Sequence, residues 1–395
     1  MTRGRPLVVA VALALVPASA QGLSRFGYGL VLPVMREDLG WSYATAGSLS
    51  TANAVGYLVG SVVALAVARR LRPLAAFRVT SVVVVLTVAA GAITGDLVVQ
   101  LVMRFLAGAT AAVVFVLGGA AASRLRTADD QPGPFYGLYF AGAGAGVALS
   151  GVVVPFATTV AGSTTEAWRF AWLALAVLAA LLLPITWWAF RGADVPAAAS
   201  VRDGSPLRSI GPLVASYTLF GVGYIGYMTF VPDHLRGQGV GDAGIAVFWI
   251  GLGLAGFVVP PLWAPLLRRQ SPGLGVFGLI AVTALAAVLP VLADGPVAAW
   301  ISGLGFGASF LTAITALTDA SRRVLDARHW TAALAVLTTG FALGQCLGPV
   351  LAGLVSDAGG GLDAGLSVSA GVLAVAAFVG LLQRSPVRPG GKLDP

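Results

Sequence analysis

The sequence is poor in the residues that form covalent crosslinks and metal sites. It contains one cysteine, Cys346, and two histidines, His234 and His329. A single cysteine excludes an internal disulfide bond and a cysteine metal cluster, and two histidines near loop ends are too few for a histidine site. We therefore predict a protein that works without a metal or another cofactor.

Charged residues are also scarce, and this scarcity decides the class of protein. Only 10% of the 395 residues are charged and 57% are hydrophobic, whereas a soluble domain has about 25% charged residues. The mean hydropathy is +0.89. Apolar runs of about 20 residues recur along the chain, each long enough to cross a bilayer as a helix. The sequence predicts an all-α integral membrane protein.

Signatures of catalysis and nucleotide binding are missing. The sequence contains no P-loop, no HExxH and no GxSxG pattern. The glycines of Gly221-x-Gly223-x-x-Gly226 spell a dinucleotide fingerprint. They lie inside an apolar run, where small residues let membrane helices approach closely. We predict neither an enzyme nor a nucleotide-binding protein.

The basic residues are unevenly distributed between alternate loops. Nineteen of the 24 Lys and Arg residues fall in one set of loops and the termini, and two fall within spans. The other loops hold only Arg36, Arg169 and Arg236. This asymmetry follows the positive-inside rule. It predicts a multi-pass protein of the cytoplasmic membrane with both termini cytoplasmic, and the positive charge needs no nucleic acid to explain it.

The apolar runs divide into two sets of six. We predict a first six-helix bundle over residues 1–190, a cytoplasmic linker over 191–209, a second bundle over 210–383 and a cytoplasmic tail over 384–395. The linker is the longest polar stretch, rich in Ala, Pro, Ser and charge. The eighth run, residues 243–267, is interpreted as one membrane span.

An internal repeat supports this division. A shift of 199 positions places Gly27 on Gly226, Arg69 on Arg268 and Gly108 on Gly307. Six spans per half give both halves the same orientation, so we predict a parallel repeat about an axis along the membrane normal.

An arginine lies deep in the first apolar run. Gln21, Arg25 and Tyr28 are spaced i, i+4, i+7, which in a helix predicts one polar stripe. A charge within the bilayer is energetically costly, so a charged residue there is by default a candidate functional residue. The alternative is that Arg25 snorkels to the interface or bonds backbone carbonyls.

Several motifs resemble those of the major facilitator superfamily (MFS) of transporters over almost the whole chain, and most of all its uncharacterised YbfB/YjiJ-like branch. The similar segments are RFGYGLVLP at residues 25–33, DLGWSY at 38–43, RFLAG at 104–108 and GQCLGPVLAG at 344–353. The resemblance implies twelve transmembrane helices in two six-helix bundles, with helices 1, 4, 7 and 10 around a central cavity. Arg104 belongs to a motif shared by transporters of unrelated substrates, so a structural role stays open for it.

The polar residues within spans are the candidate site. All 16 carboxylates fall in loops or near span ends, so the intramembrane arginines lack an obvious intramembrane counter-ion. A cavity with this balance suits an anion, because an arginine binds a carboxylate through two hydrogen bonds. We predict that substrate contacts come from Gln21, Arg25, Tyr28, Asn53, Arg104, Tyr224, Tyr227 and Gln345, with Asp233 and Asp319 as coupling candidates.

The predicted function is secondary active transport of a small organic solute, with an anion favoured, together with a proton or a counter-ion. The alternative within the transporters is efflux of hydrophobic drugs or toxins. A remote alternative is a membrane sensor or scaffold without transport. We expect a monomer in the lipid bilayer.

Overall fold

The computed structural model describes residues 5–125, 134–162, 166–191, 207–326 and 329–384. Every regular element within these ranges is helical, and no strand occurs in them. Residues 192–206 of the predicted linker and 385–395 of the predicted tail lie outside the described residues. The α-helices are α1 Arg5–Pro17, α2 Tyr28–Leu39, α3 Tyr43–Leu71, α4 Pro73–Ala90, α5 Leu97–Ala122, α6 Pro134–Ala161, α7 Ala167–Phe190, α8 Gly211–Gly237, α9 Asp242–Val258, α10 Pro260–Arg269, α11 Pro272–Leu292, α12 Pro296–Val324, α13 Trp330–Val355 and α14 Gly361–Leu381.

The helices have the length and composition of membrane spans. Among the described residues, nine helical stretches are long and apolar enough to cross a bilayer, or ten if the bent pair α9 and α10 forms one span. These stretches agree with the predicted all-α membrane fold. The count of twelve spans, the symmetry of the two halves and the bundle boundaries stay predictions.

The eighth predicted span is not one straight helix. Helices α9 and α10 meet at Val259 with a bend of 50°. Pro260 and Pro261 follow directly, and a proline removes a helical hydrogen bond and clashes with the preceding turn. The predicted span over residues 243–267 is therefore bent at the proline pair, and that α9 and α10 form one span stays a prediction.

Glycines allow close helix contacts within each half of the chain. A Cβ on Gly108 of α5 would overlap the carbonyl oxygen of Asn53 on α3. A Cβ on Gly307 of α12 would overlap the carbonyl oxygen of Leu252 on α9. Both partners of the second contact lie 199 positions after those of the first, as the predicted repeat requires.

The two halves, residues 5–191 and 207–384, meet along three helix pairs. Helix α3 packs on α13, α6 on α9, and α2 on α8. The Thr51 hydroxyl donates to the carbonyl of Cys346 at 2.8 Å, and the Trp249 indole donates to the Ser150 hydroxyl at 3.0 Å. The seam between the halves is thus partly polar, and the candidate site lies on it.

One end of this seam is held by charged groups. We call it the outer end, because the predicted topology directs it away from the cytoplasm. Arg36 of α2 forms an ion pair with Asp233 of α8, with Nε and Oδ2 2.9 Å apart. The Asp357 carboxylate accepts from the backbone N–H groups of Tyr43 and Ala44 at 2.9 and 2.8 Å. A carboxylate at a helix N-terminus is favourable, so Asp357 of the second half caps α3 of the first.

Candidate functional site

The centre of the site is a hydrogen-bonded chain of three side chains from both halves. Arg25 Nη2 donates to Gln345 Oε1 at 2.6 Å, and Gln345 Nε2 donates to the Tyr224 hydroxyl at 2.8 Å. All three are buried, with Arg25 only 7% exposed. The sequence predicted each of them as a substrate contact, and Tyr224 also occupies the position 199 residues after Arg25.

Arg25 lies in an irregular turn of the first span. The backbone between α1 and α2 forms a π-helix over Ala18–Phe26, and Gly27 N–H donates to the Gly22 carbonyl at 2.8 Å. Such i→i+5 bonds are rare and occur frequently at functional sites. Gly22 passes so close to the backbone of Gly146 on α6 that a Cβ there would overlap it.

The π-helix changes which side chains share a face. The predicted stripe of Gln21, Arg25 and Tyr28 assumed 3.6 residues per turn, and the wider turn separates Tyr28 from the other two. Gln21 and Arg25 both lie beside Tyr57, with the guanidinium of Arg25 5.3 Å from the centre of its ring. Tyr28 instead donates its hydroxyl proton to the Ala46 carbonyl at 2.8 Å. The prediction that Tyr28 shares the stripe is wrong for this reason.

Arg104 forms a second cationic centre next to the first. Its Nη1 donates to the carbonyl oxygen of Ser24 at 2.6 Å, one residue before Arg25. Its guanidinium carbon lies 5.0 Å from the Tyr28 ring centre and 5.4 Å from that of Trp172. Both rings can stabilise a cation through their faces. Arg104 is 3% exposed, and its Nε and Nη2 have no hydrogen-bond partner among the described residues.

Two other predicted contacts lie within the helix packing. Asn53 Nδ2 donates to the backbone carbonyl of Arg104 at 3.1 Å, which ties α3 to α5. The Tyr227 hydroxyl shares a 2.6 Å hydrogen bond with Ser302, and its ring stacks on Phe306 with 4.1 Å between ring centres. Both side chains are almost fully buried. Ser302 satisfies the Tyr227 hydroxyl, whereas Asn53 Oδ1 has no hydrogen-bond partner among the described residues.

The ion pairs of the described residues lie away from the site. Asp233 pairs with Arg36 at the outer end, and Asp319 pairs with Arg323 one turn along α12 at 2.8 Å. Among the described residues, no carboxylate lies within ion-pair distance of Arg25 or Arg104.

The structure divides the predicted residues into three groups. Those that meet at the seam are Gln21, Arg25, Tyr224 and Gln345. Those held in helix packing beside it are Tyr28, Asn53, Arg104 and Tyr227. Those in ion pairs apart from it are Asp233 and Asp319.

Sequence reasoning missed Tyr57 as a site residue. Tyr57 lies four positions after Asn53 on the same predicted helix, so helical periodicity places the two near one face. That spacing could have marked Tyr57, but only the fold brings its ring over the guanidinium of Arg25.

Comparisons with known proteins agree on the class of this chain. The model of the family described as "Uncharacterised MFS-type transporter YbfB" matches residues 17–381. A search of curated proteins gives no match.

Solved structures resemble the fold at low sequence identity. A crystal structure of the nucleoside transporter NupG has a TM-score of 0.70 at 14% identity, covering 97% of this chain and 99% of that one. The inward-facing, unoccupied structure of a bacterial homologue of the human lysosomal transporter Spinster has a TM-score of 0.73 at 16% identity. The match covers 97% of this chain and 98% of that one. The crystal structure of a D-xylose-proton symporter has a TM-score of 0.71 at 14% identity, and the match covers 95% of this chain and 96% of that one.

Sequence identities as low as these support a shared fold and nothing more. The family model, in contrast, matches most of the chain. The chain therefore belongs to the YbfB-like family of MFS-type transporters, and it is a multi-pass secondary transporter of the membrane, not an enzyme.

Proposed function

We propose that this transporter carries a small organic anion across the cytoplasmic membrane, with Arg25 as the residue that binds it. One observation carries the proposal: the buried guanidinium of Arg25 bonds a neutral amide, that of Gln345, at 2.6 Å. A buried cation is costly unless it is paired. A carboxylate at this point would pair with it through two parallel hydrogen bonds.

The position of Arg25 suits alternating access. Arg25 belongs to the first half, and both Gln345 and Tyr224 belong to the second. An anion that takes the place of the Gln345 amide on the guanidinium would remove one bond between the halves. Rocking of one bundle against the other around a central site is the motion typical of such repeats. In that motion the Arg36–Asp233 pair at the outer end would open.

Coupling, assembly and orientation belong to the same proposal. We infer that a proton or a counter-ion gradient drives transport, with Asp233 and Asp319 as the carboxylates to test first. The protein acts as a monomer in this proposal, with both termini in the cytoplasm. The basic loops support this orientation through the positive-inside rule.

A second function, efflux of hydrophobic drugs, is favoured by the aromatic surroundings of the site. Tyr57 and Phe26 both lie within 6 Å of the guanidinium of Arg25, at 5.3 and 5.9 Å. A site for neutral or cationic drugs would use these rings and would not need the cation. The dependence of transport on Arg25 therefore separates the two functions.

The test is transport by the purified protein in proteoliposomes. We would measure uptake of pooled carboxylates, sugars and cationic dyes, with uptake by protein-free liposomes subtracted. Arg25→Gln removes the charge, and Arg25→Lys keeps the charge but loses the planar fork. We expect carboxylate uptake to fall about a hundredfold in Arg25→Gln, as when a charge-assisted pair worth about 3 kcal/mol is lost. Arg25→Lys should retain part of the carboxylate uptake.

The control is Arg191→Gln, which removes an exposed arginine at the end of α7. This variant should transport as the unmodified protein does. Uptake of dyes or sugars that is equal in Arg25→Gln and in the unmodified protein would overturn the anion proposal and leave Arg25 a structural residue.

A further inference from the structure

A series of aromatic rings runs from Arg25 to one end of the first half. The Tyr57 ring next to the guanidinium lies 6.2 Å from that of Phe115 on α5. Phe115 lies 5.4 Å from Phe140 on α6, and Phe140 lies 4.8 Å from Tyr136 at the start of that helix. We call Tyr57, Phe115, Phe140 and Tyr136 the first aromatic row.

The side chains of this row are partly exposed, unlike most rings near the seam. Tyr57, Phe115 and Phe140 are half-buried, and Tyr136 is 37% exposed. By contrast, Tyr139 on the same helix is fully buried and bonds the Phe115 carbonyl at 2.7 Å. The row thus offers ring surface that the protein itself does not cover.

The row begins at the seam between the halves, because the Tyr57 ring lies beside the guanidinium of Arg25, which donates a hydrogen bond to Gln345 of the second half. The Tyr57 hydroxyl lies near enough to those of Tyr224 and Tyr217 on α8 for electrostatic interaction. Tyr136, at the other end of the row, lies within the same range of Arg322 on α12. These neighbours belong to the second half, so both ends of the row lie close to it.

A second group of rings lies in the second half, around Tyr224. Phe341 on α13 stacks on Tyr217 with 4.3 Å between centres and on Tyr224 with 5.5 Å. Tyr224 also stacks on Phe220 at 5.3 Å. Phe341 is half-buried. Tyr224 accepts a hydrogen bond from Gln345, which itself accepts one from Arg25. Aromatic surface therefore flanks the cation from both halves.

We propose that the transported anion is an aromatic carboxylate, whose carboxylate binds Arg25 and whose ring packs between Tyr57 and Phe341. This inference rests on the proposed anion transport and specifies its substrate class. Aromatic pairs gain from stacked and edge-to-face geometry beyond their buried area, which an aliphatic chain of the same size cannot reproduce. Cationic aromatic compounds are disfavoured, because the face of Tyr57 already meets the guanidinium of Arg25.

The test compares two carboxylates that differ in the ring alone. Benzoate and cyclohexanecarboxylate have the same charge and similar size, but only benzoate is aromatic. Binding of each would be measured by titration calorimetry on the protein in nanodiscs, which avoids passive leakage of the protonated acids. We expect benzoate to bind about three- to tenfold more tightly, as one or two aromatic contacts would give. Benzamide, which keeps the ring and lacks the charge, should bind far more weakly.

Variants then locate the preference. Tyr57→Leu and Phe341→Leu should each bring the affinity for benzoate down to that for cyclohexanecarboxylate, which should change little. Phe170→Leu is the matched control, because Phe170 on α7 is 48% exposed on the outside of the fold and absent from both aromatic groups. Thermal unfolding of each variant verifies that it is folded.

The outcomes separate this inference from the function on which it rests. Equal binding of the two acids, or a benzoate preference unchanged in both leucine variants, overturns the aromatic inference. The anion proposal survives that result if Arg25→Gln still abolishes binding of both acids. Binding of benzamide as tight as that of benzoate, unaffected by Arg25→Gln, overturns both.

Discussion

Arg25 and Gln345 lie 320 positions apart in the chain and share a hydrogen bond of 2.6 Å in the middle of the protein. The bond joins the first span to α13, and it gives a buried cation a neutral partner. An amide satisfies one donor of the guanidinium without cancelling its charge. The cation therefore stays available to an anionic ligand.

The first prediction is that Gln345→Glu inhibits anion transport without unfolding the protein. The new carboxylate would pair with Arg25 and occupy the guanidinium that the substrate requires. We expect anion uptake to fall at least about tenfold, since the ligand must displace a charge pair. Uptake into proteoliposomes measures this.

Gln270→Glu makes the same chemical change at the end of α10 and serves as its control. Uptake by Gln270→Glu should equal that of the unmodified protein. Undiminished uptake by Gln345→Glu would exclude Arg25 as the anion contact.

The second prediction concerns the contact at the outer end. Asp357→Asn removes the negative charge at the N-terminus of α3 and keeps an acceptor oxygen, and such a charge contributes about 0.3–1 kcal/mol. We expect the outer end to open more often. The single cysteine, Cys346, is next to Gln345 and half-buried, so its reaction with a membrane-impermeant maleimide added from outside reports the opening.

The labelling rate should rise about two- to fivefold in Asp357→Asn, because the loss of this energy shifts the equilibrium towards the open outer end. Asp242→Asn is the matched control, because the Asp242–Arg236 pair lies within the second half alone. A similar rise in both variants would show that the cap does not hold the halves together.

The third prediction separates the structural from the substrate role of Arg104. Its contacts are the Ser24 carbonyl and the rings of Tyr28 and Trp172. Arg104→Gln should therefore lower the melting temperature, because it leaves a buried carbonyl without its donor at a cost of about 1–3 kcal/mol.

The dissociation constant for a bound carboxylate should change less in Arg104→Gln than in Arg25→Gln. Thermal unfolding and titration calorimetry on the same samples measure the two effects. A stable Arg104→Gln protein that has lost carboxylate binding would place Arg104 among the substrate contacts.

The fourth prediction tests the close approach of α3 and α5. Gly108→Ala introduces a methyl group against the Asn53 carbonyl, so the helices must separate, and overpacking costs about 1–3 kcal/mol. We expect a lower melting temperature. Gly371→Ala on α14 is the control, because a Cβ there meets no atom within 4 Å.

The melting temperature of Gly371→Ala should stay unchanged or rise slightly, since alanine favours a helix by about 1 kcal/mol. Equal melting temperatures for the two variants would mean that the helices adjust without cost and that the close approach is dispensable.

The sequence alone determined the class of the protein and most of its helices. Apolar runs of membrane-spanning length leave the backbone only one way to satisfy its hydrogen bonds, so composition predicts helices with little ambiguity. The motifs at residues 25–33 and 104–108 predicted the family, and the family model agrees. The sequence also contains the proline pair at 260–261. The hydropathy of the run that includes this pair does not indicate the bend between α9 and α10.

The tertiary structure decided which polar residues act together. Helical periodicity placed Tyr28 with Arg25, whereas the π-helix over Ala18–Phe26 turned Tyr28 towards Trp172. A local deviation of this kind depends on packing against α6, where Gly22 and Gly146 meet, and no spacing rule contains it. The partners of Arg25, Gln345 and Tyr57, come from distant segments. Sequence shows that a membrane arginine needs a partner; only the packing of helices determines which one it has.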